Sequence, residues 1–91
     1  MKYRTWRSAR EVVSYQEGDL RCDFTCTYAS AGQPQQLYLH DRCKQGEVER
    51  RLTDAELLRV EQSLRKYLTE RRVLGVKLRI RDLQIIRQQS L

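Results

Sequence analysis

Leu20-Arg21-Cys22-Asp23-Phe24-Thr25-Cys26-Thr27-Tyr28 alternates without a slip. Cys22, Phe24, Cys26 and Tyr28 fall on one parity, and Arg21, Asp23, Thr25 and Thr27 on the other. A period of two is the signature of a strand with one buried and one wet face. Working back from it, Glu11 to Gln16, with Val12, Val13 and Tyr15, reads as a second strand, and Glu17-Gly18-Asp19 as the hairpin turn between them. Working forward, Ala29 to Gln35 holds Gly32 and Pro34 and reads as a loop. Gln36 to Cys43 is a third strand, Gly46 marks a turn, and Glu47 to Leu52 is a short fourth strand.

The period then changes. Asp54 to Leu74 reads as one helix, with Leu57, Val60, Leu64, Tyr67, Leu68 and Leu74 at helical spacing. Thr53 and Glu56 have the spacing of a capping box, in which each side chain satisfies the other's free backbone N–H. Asp54 and Glu56 near the start, and Arg71 and Arg72 near the end, complement the helix dipole. Glu61 and Arg65 form an i,i+4 pair, and Gly75 is the expected stop. Alternation returns at Val76 to Arg81, with Val76, Leu78 and Ile80 on one side and Lys77, Arg79 and Arg81 on the other. It slips again before Leu83 and Ile85, which predicts a bulge near Asp82.

These elements predict an α+β fold. It is an antiparallel β-meander of three to four strands, with one long amphipathic helix packed on one face and then a final C-terminal strand. The expected core is Cys22, Phe24, Cys26, Leu37, Leu39, Leu57, Val60, Leu64, Leu68, Val76, Leu78 and Ile80. Residues 1–91 are expected to form a single small domain, since so short a chain supports one modest core. Residues 1–10 are either a basic N-terminal arm or a segment docked through Tyr3 and Trp6.

The 91 residues are 40% hydrophobic and 33% charged, with apolar residues recurring at regular intervals, the composition of a folded rather than a disordered chain. No apolar run approaches the ~20 residues of a membrane span, and Met1 to Arg7 lacks the apolar stretch of a signal peptide, so the expected place is the cytoplasm and no membrane partner is expected. Three cysteines, an odd number, argue against a disulfide framework.

The net charge of +6 is uneven. Lys2, Arg4, Arg7 and Arg10 stand without an acid in residues 1–10, and Arg71, Arg72, Lys77, Arg79, Arg81 and Arg87 face Asp82 alone in residues 71–91. The stretch between is net acidic. If the two ends meet, they form one basic surface that steers an anionic partner. Arginine outnumbers lysine, and its guanidinium suits phosphate and carboxylate contacts.

A site follows from the strand parities. If Leu37 and Leu39 face the helix, then Tyr38, His40 and Arg42 face away, as do Lys77, Arg79 and Arg81. Cations around an aromatic on an open sheet are the chemistry by which single-stranded nucleic acid is held, with bases stacked and phosphates paired. Arg4 and Arg7 are the auxiliary phosphate contacts. The same pattern also serves a solvated outer face. A ribonucleoprotein would be met through the same basic face, whereas a protein partner, with the chain as accessory subunit, inhibitor or homodimer, would instead use a sheet edge with Tyr3 and Trp6.

Other chemistries fit less well. Cys22, Cys26, His40 and Cys43 carry zinc-ligand atoms, but Cys22 and Cys26 on one strand lie ~13 Å apart and cannot share a metal. Buried, reduced, metal-free thiols are expected. His40 is the single histidine, and no Gly-rich phosphate loop or convergent acid–base set is present. Thr53 follows two arginines, as in a kinase site, but its capping role explains it better. The expectation is a non-enzymatic binding module without a cofactor, its partner a nucleic acid or a protein assembly.

Overall fold

The computed structural model describes residues 2–27, 32–79 and 83–88, and of 71–73 and 76–79 the backbone alone. In chain order the elements are β1 (Tyr3–Ala9), β2 (Val12–Glu17), β3 (Leu20–Cys26), β4 (Gln35–Leu39), β5 (Arg42–Gln45), β6 (Val48–Arg51), α1 (Asp54–Thr69), β7 (Glu70–Val73), β8 (Val76–Arg79) and β9 (Leu83–Arg87).

An α+β arrangement is present, with one helix against a mostly antiparallel sheet and a C-terminal strand closing it. The sheet has seven strands where three to four were expected. Three differences account for the excess, one of them β9, which joins the sheet in place of the expected strand at 76–81. The N-terminal segment is neither an arm nor a docked coil: Tyr3–Ala9 pairs antiparallel with β2 and forms an edge strand, broken by a bulge between Arg7 and Ala9. The expected third strand is two strands, because its path bends at His40-Asp41.

That bend makes the sheet fork. The far end of β3 pairs with β4 (Thr25 with Tyr38, Cys26 with Leu37), while its near end pairs with β5 (Leu20 with Gln45, Arg21 with Lys44). The main path runs β1-β2-β3-β4-β9, with β9 parallel to β4, and β6 hangs from β5. His40 fills the place where the pairing lapses. Its Nε2 meets the Asp23 carbonyl at 2.8 Å and its Nδ1 accepts from the Arg42 N–H at 3.0 Å. With Nδ1 accepting, Nε2 is the nitrogen that donates to the Asp23 carbonyl. The ring also lies against Phe24, centroids 4.8 Å apart, so His40 bridges the strands while staying partly exposed.

The helix begins as the sequence predicts. Thr53 Oγ1 accepts from the Glu56 N–H at 3.2 Å, and Glu56 Oε1 accepts from the Thr53 N–H at 2.9 Å. It ends five residues early, at Thr69, and the chain enters a strand directly at Glu70. Leu74 and Gly75 both have positive φ and close a two-residue turn between β7 and β8. Such a turn matches the twist of a hairpin, and glycine takes the conformation without strain.

The core lies between the helix and one parity of the sheet. Val13, Tyr15, Leu20, Cys22, Phe24, Cys26, Leu37, Leu39, Cys43 and Leu52 meet Val60, Leu64 and Leu68, with Leu57, Leu83 and Ile85 packed at its margin. Of the expected core, Ile80 lies outside the described residues, as does the bulge at Asp82. Val76 and Leu78 belong to β8, which pairs with β7 and not with the main sheet. Tyr67 is 39% exposed, at the rim of the stripe. No helix among the described residues is long and apolar enough to cross a membrane.

Candidate functional site

The sheet face away from the helix is built by register. Arg4 of β1 stands opposite Gln16 of β2, Gln16 opposite Arg21 of β3, Arg21 opposite Lys44 of β5, and Lys44 opposite Glu49 of β6. One step along each strand pair, Trp6 stands opposite Ser14 and Ser14 opposite Asp23, while Arg42 stands opposite Arg51. A third row runs from Val12 through Thr25 and Tyr38 to Ile86. The first two rows together carry Arg4, Arg21, Arg42, Lys44 and Arg51 against Asp23 and Glu49.

Local bonds hold this face in place. Ser14, fully buried on the outer side, donates to Asp23 Oδ1 and lies 2.7 Å from Ser8 Oγ. With its proton directed to Asp23, Ser14 accepts from Ser8. Arg21 Nε also donates to Asp23 Oδ1 at 3.2 Å. The Arg4 guanidinium carbon is 4.0 Å from the Trp6 ring centroid, and that of Arg21 5.3 Å. Both are within the range of a cation–π contact. Tyr38 donates from its hydroxyl to Gln36 Oε1 at 3.2 Å.

Where β3 and β5 part, a cleft of about 670 Å³ opens, rimmed by Arg21, Arg42, Lys44, Arg50 and Arg51 with Asp23 and Glu49. Cys22 and Cys43 lie at its floor. They are the next positions after the Arg21–Lys44 pair. Burial, with Cys43 close by, pushes the Cys22 thiol up to about 12, and burial raises Cys43 as well. These thiols are protonated at neutral pH and are poor nucleophiles.

Ion pairs tie the helix to the sheet at its margins. Arg50 grips Glu56 through two bonds of 2.8 Å, tying β6 to the helix start. Those bonds, with the Thr53 N–H, hold Glu56 down at about 2. On the core side, Tyr15 donates to Glu17 at 2.7 Å, and Arg59 of the helix reaches Glu17 at 3.1 and 3.2 Å. Burial, and then the bond to Glu17, push the Tyr15 hydroxyl up to about 12.

Of the residues expected at the site, the structure unites three. Arg4, Arg42 and Tyr38 share the helix-free face. Lys77 and Arg79 do not join them, because β8 pairs with β7 in a separate two-stranded sheet; Arg81 lies outside the described residues. Arg7 belongs to the opposite parity of β1, across from Val13, and donates to the Arg10 carbonyl at 3.1 Å. Tyr3 also takes that parity, stacking on Tyr15 at 5.8 Å, so Tyr3 and Trp6 lie on opposite faces and form no single patch. The chain's two basic ends do not meet in the sheet: β1 and β9 are its opposite edges.

Arg21, Lys44, Arg51 and the role of Trp6 escaped the sequence reading. Arg21 was legible, since the alternation of β3 already set it away from the core. Lys44 follows Arg42 by two, on the same parity. The four zinc-ligand candidates do not converge. Cys22 and Cys26 lie on β3, His40 uses both ring nitrogens, and Cys26 accepts from Gln35 Nε2 at 3.3 Å. Comparison with protein-family models, with curated sequences and with solved structures returns no match, which leaves the function to the geometry of this face.

Proposed function

We propose that this chain is a non-catalytic binding module of the cytoplasm whose helix-free sheet face holds an extended anionic partner, single-stranded nucleic acid. The observation that carries the reading is the row Arg4–Gln16–Arg21–Lys44 across four strands, with Arg42 and Arg51 beside it. At ~4.8 Å per strand, Arg4 and Lys44 stand ~14 Å apart. Neighbouring cations in the row are thus within the ~8–10 Å screening length of physiological salt, and act jointly on one charged chain. The aromatic rings of Trp6 and Tyr38 flank them.

A protein partner at the β1 edge is the weaker reading. Lys2, Arg4, Arg7 and Arg10 line that edge and a bulge twists it, the devices by which edge strands avoid pairing with another chain.

The test is fluorescence anisotropy with short labelled RNA and DNA across a salt series. Three to four phosphate contacts predict a log–log slope of about −2 to −3, a loss of roughly 20- to 50-fold in affinity between ~50 and ~200 mM salt. A dissociation constant weaker than about 100 μM at ~50 mM salt would return the protein-partner reading to the front.

A further inference from the structure

The chemistry around Trp6 says how such a partner would be recognised. This inference rests on the anionic-partner reading and adds to it the class of group that is read. Trp6 is the protein's single tryptophan. It stands on the helix-free face, in the edge strand, partly exposed, opposite the buried Ser14. Arg4 lies over its ring at 4.0 Å and Arg21 approaches it at 5.3 Å. Arg21 is held in turn by Asp23, which is itself held by Ser14. A chain of bonds through two strands therefore orients one of the two cations beside the ring.

Indole and guanidinium are both flat, and nucleobases stack on either. We propose that Arg4, Trp6 and Arg21 form a stacking site for an unpaired nucleobase, with the adjoining phosphates meeting Lys44 and Arg42. The ligand class is then single-stranded nucleic acid, and not polyanions in general. Polyphosphate or an acidic peptide satisfies the cations but has no base for the ring. A duplex carries the same charge with its base faces already covered.

Because Trp6 is the only indole, its emission reports the site directly. The wild-type protein is titrated with an oligothymidylate of about 15 nucleotides, near the upper site size of a small single-strand-binding domain. Inorganic polyphosphate and a duplex of the same length are the comparison probes. The expected result is quenching of Trp6 by the oligothymidylate and binding of polyphosphate without quenching. Trp6→Ala should weaken the oligothymidylate roughly 5- to 150-fold and leave polyphosphate unchanged. Trp6→Phe, which keeps a ring, should recover most of the loss, and thermal melts of both variants report whether they fold.

Equal binding of oligothymidylate and polyphosphate, with Trp6 emission unmoved, overturns the stacking site and leaves the face a plain anion surface. Equal quenching by duplex and single strand overturns it too. If none of the probes binds, the anionic-partner reading itself falls.

Discussion

The guanidinium of Arg59, on the helix, reaches the carboxylate of Glu17, on β2, through two bonds of 3.1 and 3.2 Å. Glu17 is nearly buried, whereas Arg59 is 44% exposed, so the pair joins the core to its surface. Tyr15 completes it from the same strand as Glu17, and its ring is fully buried.

Tyr15→Phe keeps the ring and removes the hydroxyl. A hydrogen bond to a charged acceptor is worth about 1.5–3 kcal/mol, and that is the expected loss in urea unfolding, with the slope unchanged. A loss below about 0.5 kcal/mol would mean that water replaces the hydroxyl at Glu17.

Thr53→Ala removes the first half of the capping box and should cost about 0.5–2 kcal/mol. Leu64→Ala, at a fully buried position of the helix, should cost about 2–5 kcal/mol. Reversal of that order would place the helix's stability in its start and not in its packing.

Glu56 supplies a pH dependence with a definite sign. Its carboxyl is lowered from an ordinary 4.5 to about 2, chiefly by Arg50 and then by the Thr53 N–H. Between those values the unfolded chain binds the proton and the folded protein does not. The stability that Glu56 contributes is therefore present above about pH 4.5 and is lost as pH falls toward 2. Glu56→Gln should be less stable than wild type near neutrality, and the gap should close through this window in denaturant titrations. A gap that stays constant with pH would show that the ion pair contributes nothing there.

For the thiols, alkylation near pH ~8 should be slow at Cys22 and Cys43 in the folded protein and rapid in denaturant, since only the thiolate reacts. Chelator should change neither stability nor reactivity. Stoichiometric zinc in protein purified without added metal would overturn the account of these cysteines.

On the helix-free face, Lys44→Ala should flatten the salt dependence of oligonucleotide binding by about 0.7, the share of one single-strand phosphate. Lys66→Ala, an exposed cation in the last turn of the helix, is the control and should leave the slope alone. Equal effects at both positions would mean that binding senses only overall charge.

How much of this was legible turns on which signals are local. The alternation of β3 and the Thr53–Glu56 box each lie within a few residues, and both were read where they occur. The helix end was not, because Leu68 and Leu74 continue the helical spacing past Thr69. The better signal was Glu70–Val73 and Val76–Arg79 as two four-residue runs separated by two residues, the second of them glycine. The break at His40 leaves no mark on parity, since Leu37, Leu39 and Cys43 stay in phase across it. Edge strand β1 has no alternation to read because neither of its sides is deeply buried. That 76–79 pairs with β7 and not with the main sheet was not legible either: a strand there was visible, but its partner was a matter of topology.

The forked sheet has a consequence for how this protein can change. In β3, positions 21, 23 and 25 answer to whatever lies outside, while 20, 22, 24 and 26 answer to the helix. The two sets interleave in sequence yet are separated by the thickness of the sheet. Reversing the charges at 42 and 44, which leaves the Arg21–Asp23 bond alone, should thus give a protein of the same architecture whose outer face repels anions, with no repacking beneath it. The exception is the gap between β3 and β5, where the thiols of 22 and 43 border the outer cleft. There alone a substitution made to alter what is held would also alter what holds the molecule together.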